Sequence, residues 1–465
     1  MISIDFDVSP ARGAITRACF AVAVATAGVL LTWSDLHAQN PNSTGLTLGG
    51  AARMAADRSA SAATAKERSA QADARVSQSR AALLPNLSTS AQYGTRSYNT
   101  ASLGLEFPTS PSQPAPFDPD GEVQGPVRSI DMRARLTQNV FSMPTLLNWR
   151  ATAGDADAAH YRADDAADNA AQRGANAYLR VLRAEARIGA RQADSSLAAE
   201  LLDIAKQQLT AGVGISLDVT RAESQLADAR ARLISTRGER DRAVLQLRHE
   251  LSLADAAPLT IGDSLRAPSP NDAMAREETI IANALNNRAD FKAARAQTEA
   301  AKTHARAAVS ERLPAISVYA DHGSNGKETE RMLGTYSYGV QVSLPIFDGL
   351  RLESRKSEEI SRTREAQITA LDTKRQVETD VRTAMISLSS AREEVSAAQL
   401  RLVLAEQEVS QARERFRQGV SGNADVITAS MTLNAARDLV IDALTKYHMA
   451  RVSLAASQGQ TTNIQ

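Results

Sequence analysis

A stretch of 22 residues occurs twice in this sequence and divides the chain into two similar halves. The first copy, 209–230, aligns without a gap with the second, 416–437, at an offset of 207 residues. In each copy a glycine that can adopt positive φ ends a helical run, and an aspartate then begins the next helix, where a carboxylate suits the helix dipole. The repeat therefore predicts two helix–turn–helix hairpins. The identical pairs are Gly212/Gly419, Val213/Val420, Asp218/Asp425, Val219/Val426, Ala222/Ala429, Leu226/Leu433, Ala229/Ala436 and Arg230/Arg437.

The composition favours long helices in close contact. Of 465 residues, 43% are hydrophobic but only 4% are aromatic, and alanine, arginine, glutamine, serine and glutamate are abundant. Small side chains and strong helix formers suit such an arrangement. Lysine plus arginine and aspartate plus glutamate both number 53, so the formal net charge is zero. This balance does not favour a nucleic-acid partner, which would attract a basic surface.

Residues 1–38 have the features of a secretory signal peptide. Two arginines precede an apolar run at 18–32, and Ala38 supplies a small residue before a cleavage point. The alternative is an N-terminal membrane anchor, although the run is short for a span of the bilayer. Cys19 lies at the start of the apolar run and does not follow it, as a lipid-modified cysteine would. Cleavage after Ala38 leaves no cysteine, so we expect neither a disulfide framework nor thiol chemistry.

Each half repeats one order of predicted elements: a helix, two strands, a very long helix, a tip and a return helix. The first repeat, 39–251, consists of helix 47–84, β-hairpin 86–141, long helix 145–211, tip 212–217 and return helix 218–251. The second repeat, 271–459, consists of helix 272–312, β-hairpin 315–347, long helix 350–418, tip 419–424 and return helix 425–456. An equatorial linker, 252–270, joins the repeats, and 460–465 is a C-terminal tail. Each long helix would extend about 100 Å, and the first has weak points at Gly154, Gly174 and Gly189.

The predicted strands alternate between apolar and polar residues, which indicates one apolar face per strand. In the second strand Met132, Ala134 and Leu136 alternate with Arg133 and Arg135. A charged face opposite an apolar face is typical of a barrel strand between lipid and water. One chain supplies only four strands, and hydrocarbon does not tolerate open sheet edges, so we expect several copies to close one barrel.

Three copies would supply about twelve strands, within the range of known membrane barrels. The long helices are too polar to enter the bilayer, so we expect them to project into water as a second, helical barrel, with coiled-coil-like packing through alanine-rich faces. The predicted fold class is therefore an α+β membrane protein. It joins a long α-helical barrel to a transmembrane β-barrel in a homotrimer with an internal two-fold sequence repeat.

The motifs also occur in a characteristic order. A helix ends in LLPNLSTSA (83–91), two strands follow, and Val140-Phe141 precedes a long helix, a Gly-Val tip and an Asp-Val helix. The second half repeats this order, with Ile346-Phe347 in the equivalent place. The chain resembles the TolC family of bacterial outer-membrane efflux and secretion channels over about Leu46 to Gly459. The ordered duplication is more specific than any of its motifs.

The resemblance implies a homotrimer in the bacterial outer membrane that extends into the periplasm. It implies a twelve-stranded barrel, a periplasmic helical tunnel and a mixed equatorial region. It also implies that the tips at Gly212, Val213, Gly419 and Val420 dock to a periplasmic adaptor, or membrane fusion protein, of an inner-membrane pump. The alternative for these residues is a helix break without a partner.

The resemblance further implies an acidic collar at the aperture. Asp425 matches one acidic-ring position, and Thr428 stands where the family pattern has a second aspartate. Asp218 falls at the position of a gate-linking carboxylate in the first hairpin. The position where the family pattern has its arginine partner is occupied here by Ser421. Three carboxylates around a narrow axis would favour cations. The alternative is that Asp218 and Asp425 are ordinary residues at helix N-termini.

Prolines and aromatic residues mark the places where strands and helices meet. We predict proline turns between helix and strand at Pro85, Pro314 and Pro345. The aromatic side chains near these places could anchor the barrel at the membrane interface. Ordinary packing at the base of the barrel is the alternative. These aromatic residues are Phe141, Trp149 and Phe347.

We predict no catalytic site, metal site or cofactor. The histidines are scattered, and His160 with Asp164, one helical turn away, is an exposed pair of a common kind. The carboxylates lie in helices of mixed charge, and the sequence has no glycine-rich phosphate loop and no CxxC motif.

These features predict a passive exit duct. We expect it to export small molecules, such as drugs and toxic compounds, from the periplasm or cytoplasm to the outside in a tripartite efflux system. One alternative is the outer-membrane component of a type I protein secretion system. A helical stalk without a channel is an alternative of another class, but a stalk does not need amphipathic strand pairs. A soluble periplasmic enzyme would need a site that the sequence lacks.

Overall fold

The computed structural model describes residues 45–103, 121–254, 259–269 and 276–464. The predicted signal at 1–38 lies outside these ranges, as do parts of 86–141, 252–270, 272–312 and 460–465. The helices are α1 Leu48–Arg58, α2 Ala60–Ala81, α3 Met143–Thr210, α4 Ser216–Glu250, α5 Glu277–Asn287, α6 Ala289–Ser310, α7 Arg351–Arg417 and α8 Asn423–Ser457. The strands are β1 Asn86–Asn99, β2 Val123–Phe141, β3 Ala315–Gly326 and β4 Leu333–Ser343.

The two longest elements are α3 and α7, with 68 and 67 residues. At a rise of 1.5 Å per residue, each is about 100 Å long. Gly154, Gly174 and Gly189 do not interrupt α3. Gly174 instead permits the close approach of α1, because a Cβ atom there would lie 2.4 Å from the Cβ of Ala55.

Among the described residues, no helix has a stretch that is long and apolar enough to cross a membrane.

The long helices pass through two levels of packing, and their neighbours differ between the levels. Near the strands, α3 packs against α2 and α6, and α6 packs against α7. Near the hairpin tips, α3 packs against α4 and α8, and α8 packs against α7. The order is thus α2–α3–α6–α7 at the first level and α4–α3–α8–α7 at the second. Alanine, leucine and valine fill most of the core between these helices.

The first helix of each predicted repeat is in fact a pair of helices. The prediction of single helices at 47–84 and 272–312 is wrong, because the chain is extended at Ser59 and at Arg288, with φ/ψ of −62°/144° and −59°/125°. The two breaks are equivalent, 229 residues apart. Ser59 caps the N-terminus of α2 with its hydroxyl, and Arg288 binds two carboxylates. Neither break contains glycine or proline, so the usual helix-breaking signals are missing there.

The four strands form one antiparallel sheet in the order β1–β2–β3–β4. The register aligns the alternating residues of neighbouring strands. Leu87 on β1 lies opposite Leu136 on β2, which lies opposite Ala320 on β3, which lies opposite Tyr338 on β4. The prediction of four strands with one apolar and one polar face is therefore confirmed, and β1 and β4 are the edges of this sheet.

A polar junction fixes the start of α1 to the linker between the repeats. Asp263 in the linker accepts hydrogen bonds from the backbone N–H of Leu48 at 2.7 Å and from the Tyr178 hydroxyl at 3.1 Å. Tyr178 also donates to the carbonyl of Leu46 at 2.6 Å. Leu46 forms a parallel β-bridge with Ile261. Burial raises the pKa of Tyr178, so the phenol remains a donor.

Candidate functional site

The polar face of the sheet carries a network of charged side chains. Arg133 on β2 forms ion pairs with Asp131 on its own strand, at 3.3 Å, and with Asp321 on β3. Asp321 also accepts a hydrogen bond from Ser337 on β4 at 2.7 Å. Arg133 reaches Thr335 on β4 at 3.4 Å. The network therefore ties three strands together on the face that alternation assigns to water.

Glycine makes room for large side chains on this polar face. The guanidinium of Arg135 lies over the ring of Tyr319 at 5.7 Å from its centre. Tyr319 lies opposite Gly339 on β4. A Cβ atom at Gly339 would lie 2.9 Å from the Tyr319 hydroxyl, so a larger residue would displace the ring.

The other face of the sheet is apolar and exposed. Its large exposed side chains come from all the strands except β3, whose outward residues are smaller or partly covered. A continuous exposed apolar surface requires a partner or a membrane. The exposed members of this face are Leu87, Tyr93, Met132, Leu136, Val140, Tyr336, Tyr338, Val340 and Val342.

The predicted interfacial aromatic residues occupy different environments. Phe141 at the end of β2 and Phe347 beyond the end of β4 are exposed. Trp149 lies in the first turns of α3 and is partly buried. Its indole N–H is buried without a hydrogen-bond partner among the described residues. Phe141 and Phe347 thus stay candidates for the membrane interface, and Trp149 fits packing at the base of the sheet better.

The predicted proline turns lie at the junctions between elements. Pro85 and Pro314 follow α2 and α6 and directly precede β1 and β3. Pro345 lies between β4 and α7, so the chain passes there from strand to helix, the reverse of the other two. The turn before α7 contains Gly349 with φ of 69° and Leu350 with φ of 66°, and the carboxylate of Asp348 accepts from the N–H of Leu352.

The two hairpin tips have the same backbone structure. Gly212 has φ of 76° and Gly419 has φ of 70°. The N–H of Val213 donates to the carbonyl of Gln208 at 3.1 Å, and the N–H of Val420 donates to that of Arg415 at 2.9 Å. These bonds close a helix C-terminus through a left-handed glycine. Both valines are exposed, so each tip presents an apolar side chain at its end.

Specific hydrogen bonds join the two tips within one protomer. The side-chain amide of Gln208 donates to the carbonyl of Phe416 at 2.6 Å, and that of Asn423 donates to the carbonyl of Asp218 at 2.9 Å. Phe416 is buried in a cluster with Leu201 on α3 and other residues of all four tip helices. The two tips of one protomer therefore form one packed unit.

The predicted collar residues differ in their surroundings. Asp218 is mostly covered and lies 3.8 Å from Arg221 on its own helix. Asp425 is exposed in the first turn of α8, and the Thr428 hydroxyl donates to the carbonyl of Ala424. The hydroxyl of Ser421 is buried without a partner in the described part of the chain. Of the two aspartates, Asp425 has the more open carboxylate.

A buried ionic cluster between α3 and α8 is the main feature that sequence reasoning missed. Asp194 on α3, with a side chain only 3% exposed, binds Arg191 at 2.9 Å and Arg437 on α8 at 2.6 Å. Arg191 also pairs with Asp438. Burial raises the pKa of Asp194, although both arginines favour its charged form. The duplicated Arg230/Arg437 pair could have indicated this cluster, because helical periodicity places Arg437 beside apolar residues, where an arginine needs a carboxylate partner.

Two histidines join α3 to its neighbours. His160 lies 3.0 Å from Asp73 on α2 rather than pairing with Asp164, and His304 on α6 lies 2.8 Å from Asp155 on α3. The hydrogen bond that His304 donates to the carboxylate of Asp155 raises the pKa of His304. Among the described residues, no group of three or more histidine, aspartate or glutamate side chains is placed to hold a metal ion.

The comparison with protein families agrees with this geometry. The profile described as outer membrane efflux protein matches residues 51–251 and 280–460, which is most of the chain. The chain belongs to the outer membrane efflux protein family. The predicted resemblance is confirmed, because this is the family of TolC-like channels.

Similar proteins of the family include curated relatives and solved structures. Fusaric acid resistance protein FusA of Burkholderia cepacia is 31% identical over 163 residues, 33% of this chain and 30% of the relative. Alkaline protease secretion protein AprF of Pseudomonas aeruginosa is 23% identical over 268 residues, 56% of this chain and 55% of the relative. These matches thus span about a third and about half of the relatives. The CmeC outer membrane channel of Campylobacter jejuni superposes with a TM-score of 0.73 at 15% identity, over 93% of this chain and 91% of that one, and has the same fold.

Proposed function

We propose that three copies of this chain form an outer-membrane exit duct that exports small molecules as part of a tripartite efflux system. The observation that carries this proposal is one sheet with an apolar face and a charged face, joined directly to helices of 68 and 67 residues. Three such sheets would close a barrel of about twelve strands with the charged face inward. The long helices would continue the passage into the periplasm.

Family membership supports an outer-membrane location for the sheet. The apolar face meets lipid, and the Arg133–Asp321 network lines the water-filled side. The duct itself performs no chemistry, and a partner pump supplies the energy. The tips at Val213 and Val420 dock to a periplasmic adaptor through their exposed apolar side chains.

Small molecules are the preferred cargo, and protein secretion is the second candidate. The name of the Burkholderia relative associates it with resistance to fusaric acid, and the name of the Pseudomonas relative associates it with secretion of an alkaline protease. Since the first match has the higher identity, we place this chain with efflux. Fusaric acid is accordingly the first cargo to test in cells that lack the protein.

Conductance in a planar bilayer tests the duct. The purified protein, shown to be trimeric by its migration before and after heating, should produce discrete single-channel steps. A protein without a duct should produce none. If a verified trimer gives no conductance, a substitution at the tips that widens the aperture distinguishes a closed duct from a solid stalk. Only a closed duct would then begin to conduct.

A growth assay tests the cargo. Loss of the gene should lower resistance to fusaric acid and leave secretion of extracellular protease unchanged. The opposite pattern would contradict the efflux assignment and favour protein secretion through the same duct.

A further inference from the structure

The internal repeat places one helix contact inside the protomer and leaves its counterpart open. Inside the protomer, α8 packs against α3, and we call this contact the inner seam. At the offset of 207 residues, α8 corresponds to α4 and α3 corresponds to α7. The corresponding contact is therefore between α4 of one protomer and α7 of the next. We call it the subunit seam.

Apolar residues of the subunit seam are exposed where their inner-seam counterparts are buried. Leu179 on α3 and Val452 on α8 belong to one buried cluster and are 1% and 0% exposed. Their counterparts, Ile386 on α7 and Leu245 on α4, are 68% and 60% exposed. Matched apolar side chains on two open edges of one chain fit a second copy of that chain.

The charged residues of the two seams differ. Across the inner seam, Asp194 on α3 pairs with Arg437 on α8 at 2.6 Å. The counterpart of Asp194 is Arg401 on α7, and the counterpart of Arg437 is Arg230 on α4. The attractive pair of the inner seam is thus replaced by two arginines. The second inner-seam pair, Arg191 with Asp438, has alanine at both corresponding positions, 398 and 231.

Neither arginine has a compensating charge close by. Arg230 and Arg401 are exposed, and neither has a carboxylate three or four positions away on its own helix. Within the described part of the chain, neither forms an ion pair. Two guanidinium groups placed together repel each other. The repulsion is stronger between packed helices than in bulk water, because the effective dielectric constant there is lower.

We propose that Arg230 of one protomer faces Arg401 of the next across the subunit seam. This inference rests on the proposed trimeric duct. Apolar contacts then stabilise the subunit seam and the repulsion between two arginines destabilises it. Apolar contacts and ion pairs both stabilise the inner seam.

Cross-linking tests which residues meet. Arg230→Cys with Arg401→Cys, in a background with Cys19→Ser, should be joined by a short bismaleimide into covalent dimers and trimers. Each single variant should give monomers only. As a matched control, Asp194→Cys with Arg437→Cys should cross-link within one chain and give no covalent dimer.

Charge reversal tests the repulsion. Arg401→Asp places a carboxylate opposite Arg230 and should raise the temperature at which the trimer dissociates by several degrees. Combining it with Arg230→Asp restores like charges and should remove the gain. Arg364→Asp makes the same charge change on α7 at another exposed position and should have little effect.

The outcomes separate this inference from the proposed function. An intact trimer that gives no covalent dimer, or in which Arg401→Asp does no better than Arg364→Asp, overturns the seam and leaves the duct in place. A protein that forms no trimer under any condition overturns both.

Discussion

At the scale of single residues, the glycines that have open space around them differ in backbone geometry. Gly212 and Gly419 adopt positive φ, where a side chain would strain the backbone although the space around them is open. Gly189 lies within α3 with ordinary helical geometry and also has open space around it. The same substitution should therefore have opposite effects at a tip and within the long helix.

Gly419→Ala should destabilise the protein by about 1–2 kcal/mol, because an L-residue with left-handed geometry brings its Cβ too close to the carbonyl oxygen. Gly189→Ala should stabilise it by about 0.5–1 kcal/mol, because alanine loses less backbone entropy in a helix. Chemical unfolding in detergent, followed by circular dichroism, measures both. Equal effects of the two substitutions would contradict the assignment of the tip geometry.

His304 should make stability depend on pH. Its hydrogen bond to Asp155 raises its pKa above the ordinary value of 6.5, so folding favours the protonated ring. The resulting stability is fully present below the unfolded pKa and is lost as the pH rises through the folded pKa. The advantage of the wild type over His304→Gln in thermal midpoint should thus shrink from pH 5.5 to pH 8. A constant difference across this range would show that the ring is not charged in the folded protein.

At the scale of elements, small apolar residues and local ionic contacts hold the helices α4, α3, α8 and α7 side by side. Asp194 and Arg437 lie where α3 and α8 cross, among alanines and leucines. The charged form of a carboxylate in such a place depends on its partners. Water does not solvate it there, so only its ion pairs and hydrogen bonds offset the desolvation cost.

Arg437→Ala should therefore destabilise the protein by about 3–5 kcal/mol, since it leaves Asp194 buried with one partner fewer. The double variant with Asp194→Ala should lose less than the sum of the two single changes. Unfolding free energies of the three variants measure this coupling. The exposed pair Lys302–Glu299 is the control, and its removal should change stability by less than about 1 kcal/mol. Additive effects at Asp194 and Arg437 would show that the pair is not coupled.

At the scale of the whole molecule, the two faces of the sheet meet different solvents in the proposed duct. Tyr338 on β4 lies on the exposed apolar face, and Gln341 on the same strand lies on the opposite face. A single strand thus offers a matched pair of positions for one charged substitution.

Tyr338→Lys should reduce assembly of heat-resistant trimers in the outer membrane, because a lysine on the lipid face costs about 2–4 kcal/mol near the midplane. Gln341→Lys should be tolerated and should alter conductance instead, since its side chain faces water. Trimer yield in membrane fractions and single-channel conductance are the two measurements. Equal loss of trimer in both variants would contradict the assignment of the faces.

Asp425 is proposed to form an acidic collar in the trimer, where three exposed carboxylates would surround the axis. Asp425→Ala should weaken block by a trivalent cation added on the side of the helical tips. Asp218→Ala should have a smaller effect, because Asp218 is mostly covered and near Arg221. Unchanged block in Asp425→Ala would remove Asp425 from the gate.

Periodicity and duplication in the sequence determined the element order, the two strand pairs and the positions of the long helices. These features depend on local rules, since alternation, helical spacing and positive-φ glycine act within a few residues of chain. The tips at Gly212 and Gly419 were predictable for the same reason. The family also followed from the ordered repeat.

Only the tertiary structure decided the contacts between distant residues. It placed Asp194 against Arg437, divided the first helix of each repeat at Ser59 and Arg288, and left Leu245 exposed. An exposed and a partly buried arginine have the same helical spacing, so Arg230 and Arg437 look alike in the sequence. Their difference arises because α8 has a neighbouring helix on its outer side within the protomer, whereas α4 lies at the edge of the row.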